Sequence, residues 1–156
     1  MSRLDLVYHI VSSIEDKNVH AFSSYFTDEG TFRLGNYPLL KGRNSISQQC
    51  IAFFGLFKTC KFSILSAQEA NSDVVCVEGT IAYVKVDQST VIVPFCITLR
   101  LEEGKVYEFV MYVDNSPLLL PTPPTMQSPW CVAWTKMRKG GQPGAKWQTG
   151  WSDECI

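Results

Sequence analysis

Four β-rich stretches run one after another between Lys61 and Asp114, and they constrain the fold of this chain more than any other feature. "KFSILSAQEA", "DVVCVEGTIAYVKV", "STVIVPFCITLRLEE" and "KVYEFVMYVD" are rich in β-branched and aromatic residues. The turn formers "NSD", "DQS" and "EEGK" separate them. Strands joined by turns this short pair as antiparallel neighbours, so a meander is expected. Pro94 cannot donate to a ladder and is expected to mark a bulge or bend that curls the sheet.

Such a sheet needs its apolar face covered, and the first part of the chain supplies the cover. Leu4, Val7, Val11 and Ile14 recur at helical spacing, and Val19, Phe22 and Phe26 mark a second helix ending near "TDEG". "TFRLGNYPLLKGR" reads as a short strand and a loop punctuated by Gly35, Pro38 and Gly42. Ser45 and Gln48 form an expected capping box before a third helix bearing Ile46, Cys50, Phe53, Phe54 and Phe57. The fold class is therefore α+β: a curved antiparallel sheet with three N-terminal-half helices packed on its concave face.

The totals exclude several function classes. The chain has 156 residues, 46% hydrophobic and 19% charged, which is the composition of one globular domain. A net charge of -1 gives no pull toward nucleic acid or an anionic membrane. No stretch approaches the roughly 18 apolar residues of a membrane span. The N-terminal "MSRLDLVYHIVSSIED" lacks a secretory apolar core, so the expected location is the cytoplasm. Cys50, Cys60, Cys76, Cys96, Cys131 and Cys155 contain no Cys-x-x-Cys and are read as reduced thiols. Neither histidine falls at ligand spacing from a cysteine pair, so no metal site is expected. No phosphate loop or nucleophile elbow follows a strand, and no cofactor is expected.

The last strand is apolar on both faces. Val110 shares one face with Glu108, Tyr112 and Asp114, while Tyr107, Phe109, Met111 and Val113 line the other. One face packs on the helices, and a homodimer through the outer sheet face is expected to cover the second. The domain is placed at 1–119. Residues 120–156 form a Pro/Gly-rich tail with Trp130, Trp134, Trp147 and Trp151, expected to be irregular and to dock on the domain or its partner.

"FTDEGTFRLGNYPLLKGRNSI" followed by "VIVPFCITLRLEEGKVYEFVMYVDNSPLL" looks like the nuclear-transport-factor-2-like superfamily, and most resembles its SnoaL-like polyketide-cyclase group over about residues 3–119. The resemblance implies a conical α+β barrel, whose pocket hosts isomerases, dehydratases, cyclases, epoxide hydrolases or binding modules. Residue by residue it is selective. Tyr8 stands where ketosteroid isomerases of this fold carry an oxyanion donor, but Leu34 and Ile97 fall where their acidic residues would be. "CVEGTIAY" lacks the Arg-x-Asp of limonene-epoxide-hydrolase-like members. His9 and His20 lie off the apolar stripes and are expected in solvent, unlike the pocket histidines of scytalone-dehydratase-like members. Asp114 in "YVD" matches the terminal-strand acid/base aspartate of the SnoaL-like cyclases.

Each candidate has a structural reading beside the functional one. Asp114 is either a turn former in "DNSP" or a carboxylate buried at the pocket mouth, its pKa raised for proton transfer. Tyr112, two residues back, is a core aromatic or an oxyanion donor. Arg33 points to solvent or into the cone, where it would hold a substrate oxygen. Glu78 faces outward, or inward as a second carboxylate. Tyr8 flanks the first-helix stripe, Asn36 and Tyr37 could line the mouth, and Phe53 and Phe57 would line or plug the cone. The basic, tryptophan-bearing "KMRKGG…AKW" is balanced by Asp153 and Glu154, so nucleic-acid binding is not expected. The chain is thus expected to be a cofactor-independent isomerase or cyclase acting by acid–base catalysis on an apolar polycyclic or polyketide-like molecule. A non-catalytic binding or assembly module, or a dehydratase or epoxide-opening enzyme, remains the alternative.

Overall fold

In the computed structural model, which describes residues 1–120, the chain enters its first helix through a reciprocal cap. The Ser2 hydroxyl accepts the Asp5 N–H at 3.0 Å, and the Asp5 carboxylate accepts the Ser2 N–H at 2.9 Å. Such a cap satisfies two of the orphaned amides and is worth about 1 kcal/mol. The helix that follows, α1 (Arg3–Glu15), buries Leu6, Val7, Ile10, Val11 and Ile14. The tail expectation falls on residues 121–156 and lies outside the described residues.

Helix α2 (Val19–Ser24) is shorter than the sequence suggested. "TDEG" belongs to strand β1 (Phe26–Leu34), because Phe26, Phe32 and Leu34 all turn into the core. The Phe22-to-Phe26 step mimics one helical turn, yet Phe26 is the first inward residue of a strand. A two-residue β2 (Leu40–Lys41) precedes α3 (Arg43–Phe54), which starts ahead of the expected Ser45 cap. Gly42, with φ +83°, stands at the N-cap instead, where an L side chain would be strained. Strands β3 (Thr59–Glu69), β4 (Val74–Val84), β5 (Thr90–Glu102) and β6 (Lys105–Val113) then form the expected meander, followed by the single turn α4 (Ser116–Leu119).

The six strands form one curved sheet in the order β2-β1-β6-β5-β4-β3, which does not close into a barrel. It is also not wholly antiparallel, since β1 runs parallel to β6, with Arg33 opposite Val110 and Leu34 opposite Met111. Pro94 makes no bulge. It pairs in register with Thr80, and the β5–β6 ladder begins only at Phe95, so its missing N–H deprives no partner on that side. The irregularities fall elsewhere, between Phe26 and Thr31, between Ile64 and Ser66 and between Arg100 and Leu101. The last of these brings Val106, not Tyr107, into the core.

The helices cover the concave face. Phe22, Phe26, Phe32 and Phe109 pack with ring centroids 5.2–6.4 Å apart. A second group joins Phe53, Phe54, Phe57 and Tyr83 at 5.0–6.3 Å. Each ring buried in this way contributes roughly 1.5–3 kcal/mol. Two charged residues near the end of α1 tie it to its neighbours. Lys17 donates to the carbonyls of Phe54 and Phe57, closing the C-terminal end of α3, and lies 4.8 Å from the Phe57 ring centroid. Glu15 accepts the Phe62 N–H at 2.7 Å and Lys61 Nζ at 2.6 Å, tying α1 to the edge strand β3. Among the described residues no helix is long and apolar enough to cross a membrane.

Candidate functional site

The concave interior is almost filled. Ile14, Phe22, Phe32, Leu34, Cys50, Phe53, Phe54, Phe62, Tyr83, Phe109 and Met111 surround a space of about 20 Å³. That is room for about one water molecule. The alternation of β1, β4 and β6 makes this lining nearly all apolar, since each strand sends every second residue inward.

Open space lies at the rim, where the loop after β1 meets the end of β6. Gly35 makes that meeting possible. Its N–H donates to the Met111 carbonyl at 2.7 Å, its φ is +53°, and a Cβ there would stand 2.7 Å from the Val113 oxygen. One groove, of about 280 Å³, is lined by Leu34, Gly35, Asn36, Tyr37, Val113, Asp114, Asn115, Ser116 and Leu119. An adjoining depression of about 450 Å³ adds Arg33 and Tyr112. Five of the candidates read from the sequence are therefore brought together: Arg33, Asn36, Tyr37, Tyr112 and Asp114.

They gather outside the cone, however, and the expected burial of Asp114 is corrected. Strand β6 ends at Val113, so Asp114 is the first residue of the turn and the alternation no longer aims it. The carboxylate is exposed, and its Oδ1 accepts the Ser116 N–H at 2.9 Å. That backbone bond, then the Ser116 side chain, hold the carboxyl below the ordinary aspartate value. Asp114 is consequently ionised at neutral pH, in the form of a base. Tyr112, half exposed, shares the outer sheet face with Cys96 opposite it. Arg33 is exposed on that same side of β1.

The remaining candidates stand apart. Tyr8 is 55% exposed on α1 and does not reach the interior. Glu78 is exposed on the outer face of β4, opposite Cys96. Phe53 lines the interior space, and Phe57 is buried against Tyr83, 5.0 Å between centroids. His9 and His20 are both exposed, as expected. Cys50 and Cys60 are buried free thiols, pushed up to about 12 by burial. Cys76 and Cys96 are free and half buried, and Cys131 and Cys155 lie outside the described residues.

The sequence reading missed two polar residues of the interior's threshold. Tyr83 is 1% exposed, and burial pushes its phenol well above the ordinary tyrosine value, with the Asn115 amide pulling the other way. Asn115 is 8% exposed, and beyond its approach to the Tyr83 phenol neither its Oδ1 nor its Nδ2 has a hydrogen-bond partner among the described residues. The only sequence signal was polarity itself: Tyr83 sits at an inward position of "TIAYVK", and Asn115 was absorbed into turn chemistry.

Solved structures share this architecture. A protein with a ketosteroid-isomerase-like fold from Catenulispora acidiphila, in complex with trimethylamine, is 21% identical with a TM-score of 0.69, covering 78% of this chain and 100% of its own. TerC, co-crystallised with polyporic acid, is 13% identical with a TM-score of 0.65, covering 74% and 94%. The epoxide hydrolase/cyclase-like enzyme SalBIII, studied for pyran ring formation in the polyether salinomycin, is 13% identical with a TM-score of 0.64, covering 73% and 92%. At such identities the likeness establishes the fold alone. No curated protein matches the sequence. The family match is what goes further, because it runs over residues 7–109, from within α1 into β6, and so takes in the helices, the meander and the parallel β1–β6 pair: the chain belongs to the SnoaL-like domain family.

Proposed function

We propose that this chain is a cofactor-independent isomerase or cyclase whose chemistry takes place at the rim, on an apolar polyketide-like small molecule. The observation that carries this reading is the convergence of Asp114, Tyr112 and Arg33 on one depression at the end of β6. In such a reaction Asp114 takes a proton from the substrate and returns it at another atom. Tyr112 donates its hydroxyl toward the oxygen on which charge develops, and Arg33 holds a carbonyl or hydroxyl oxygen. An apolar body laid over the groove strips water from the carboxylate and strengthens it as a base. Family membership supports the reaction class, since SnoaL-like proteins include polyketide cyclases and isomerases.

A homodimer through the outer sheet face belongs to this reading. A second copy placed there would wall the side of the depression formed by Arg33 and Tyr112, and the protein would act in the cytoplasm. A monomeric mass in solution at micromolar concentration would remove the dimer.

The test of the chemistry is ring closure of a hydroxy-enone to a pyran, followed by loss of enone absorbance. Asp114→Asn should lower the rate by a factor of about 10²–10⁴ while the protein stays folded. A rate unchanged by that substitution refutes the assignment. One observation favours a second reading, a binding or assembly module: the cone interior is filled by aromatic rings, with room of only about 20 Å³. Absence of turnover together with tight binding of small apolar ligands would select it. A dehydratase or epoxide-opening enzyme is tested in the same assay with a β-hydroxyketone or an epoxide as substrate.

A further inference from the structure

Asn115 breaks the rule that buried polar groups are paired. With the Tyr83 phenol close by but neither its amide oxygen nor its amide nitrogen properly hydrogen-bonded to any described residue at 8% exposure, it carries a desolvation cost that a leucine of similar size would not. Its position gives that cost a use. Asn115 lines the rim groove, which shares Leu34 with the interior space, and Tyr83, beside the amide, lines that interior. The two polar groups therefore stand where groove becomes cone. Beyond them every wall is apolar, and Phe53 is the half-buried ring of the lining, able to turn outward at the least loss of burial.

We infer that Asn115 and Tyr83 form a recognition pair at the threshold of the cone, taking the carbonyl or hydroxyl oxygen of a flat apolar molecule whose body displaces Phe53. The inference rests on the small-molecule reading above and specifies its substrate class: an aromatic or polyene framework with one oxygen presented to the interior. The amide offers both a donor and an acceptor and the phenol offers one more donor, so a ketone and a phenol are both read. An unoxygenated hydrocarbon leaves the amide unpaired and binds more weakly.

The experiment is titration of the full chain with 2-naphthol and with naphthalene, which have the same body with and without the oxygen. The wild type should bind 2-naphthol about tenfold tighter or better, the worth of one or two net hydrogen bonds. Asn115→Leu and Tyr83→Phe should each bring that ratio toward one while naphthalene binding persists. Asn115→Leu should also raise the Tm of the ligand-free protein, which shows that the variant folds and that the amide is costly in place. A ratio near one in the wild type overturns the inference, as does binding of neither compound. A ratio that survives both substitutions also overturns it, because the oxygen is then read elsewhere, for instance by Arg33. Because the readout is binding, a wild type that discriminates but does not catalyse breaks the enzymatic reading alone.

Discussion

Phe109 and Tyr112 lie three residues apart on one strand, and they belong to two different environments. Phe109 is wholly buried within a cluster of rings on the concave side, whereas Tyr112 is half exposed on the outer side at the rim. The contrast extends over the domain. The concave interior is close-packed, aromatic and nearly without space, while the rim is polar, open and irregular in backbone. The interior gives the fold its stability, and the rim holds the ionised carboxylate and the cation. The packed core and the candidate site lie on opposite sides of Leu34, which lines both regions.

The largest effect that would break this comparison is catalytic. If chemistry resides at the rim, the acid limb of the kcat/KM profile, which reports the free protein, should fall below the ordinary aspartate value of 3.8, because the Ser116 bonds lower the carboxyl, and Asp114→Asn should abolish most of the activity. An acid limb near 6 would mean a buried carboxylate and would move the site inward. Next in size is stability. Phe109→Ala should cost about 3–5 kcal/mol in denaturant unfolding, from lost burial and a residual cavity. Tyr112→Ala should cost within about 1 kcal/mol, and comparable losses would erase the distinction between the two faces. Gly35→Ala tests the junction itself. A Cβ 2.7 Å from the Val113 oxygen, on a residue with positive φ, should cost about 1–3 kcal/mol and disturb the groove without touching the aromatic cluster.

The smallest expected effect is on the pH dependence of stability. A carboxylate whose folded pKa lies below its unfolded value stabilises the fold above the unfolded value and loses that contribution as pH falls through the folded one. Asp114→Asn should therefore narrow slightly the Tm difference between pH 7 and pH 3, since the asparagine oxygen can still accept the Ser116 N–H at both. A widened difference would indicate that Asp114 opposes folding when ionised.

Periodicity made the element order legible. Runs of alternating β-branched residues after Lys61 and the α1 stripe each obey one period, so local pattern and final structure agree. The parallel β1–β6 pair was not legible, because no local signal says which distant strand β1 will meet. The α3 start was misplaced because Ser45 and Gln48 carry the spacing of a cap, whereas the positive φ of Gly42 begins the helix. At the site, position was easier to read than environment. Asp114 was found by where it stands at the end of a strand, but one residue decided whether it continued the alternation or began the turn. Asn115 was overlooked for the opposite reason: as a turn residue it needs no explanation, and only its burial without partners sets it apart.

The pairing of β1 with β6 also orders events during synthesis. Phe26 meets Val106, and Leu34 meets Met111, so a strand made early has no neighbour on that side until nearly all of the domain has left the ribosome. The hairpins of β3 to β6 close over short loops and can form as they emerge, while β1 waits with the three helices α1 to α3 and only the two residues of β2 paired beside it. During that interval its apolar face is open to other chains. A chain ended before Lys105 would leave β1 and β5 without the strand that joins them and bury neither Phe26 nor Phe32 against Phe109. The last strand of the meander is thus what converts a set of local hairpins into a domain, and the rate at which it arrives sets how long the nascent chain is prone to aggregate.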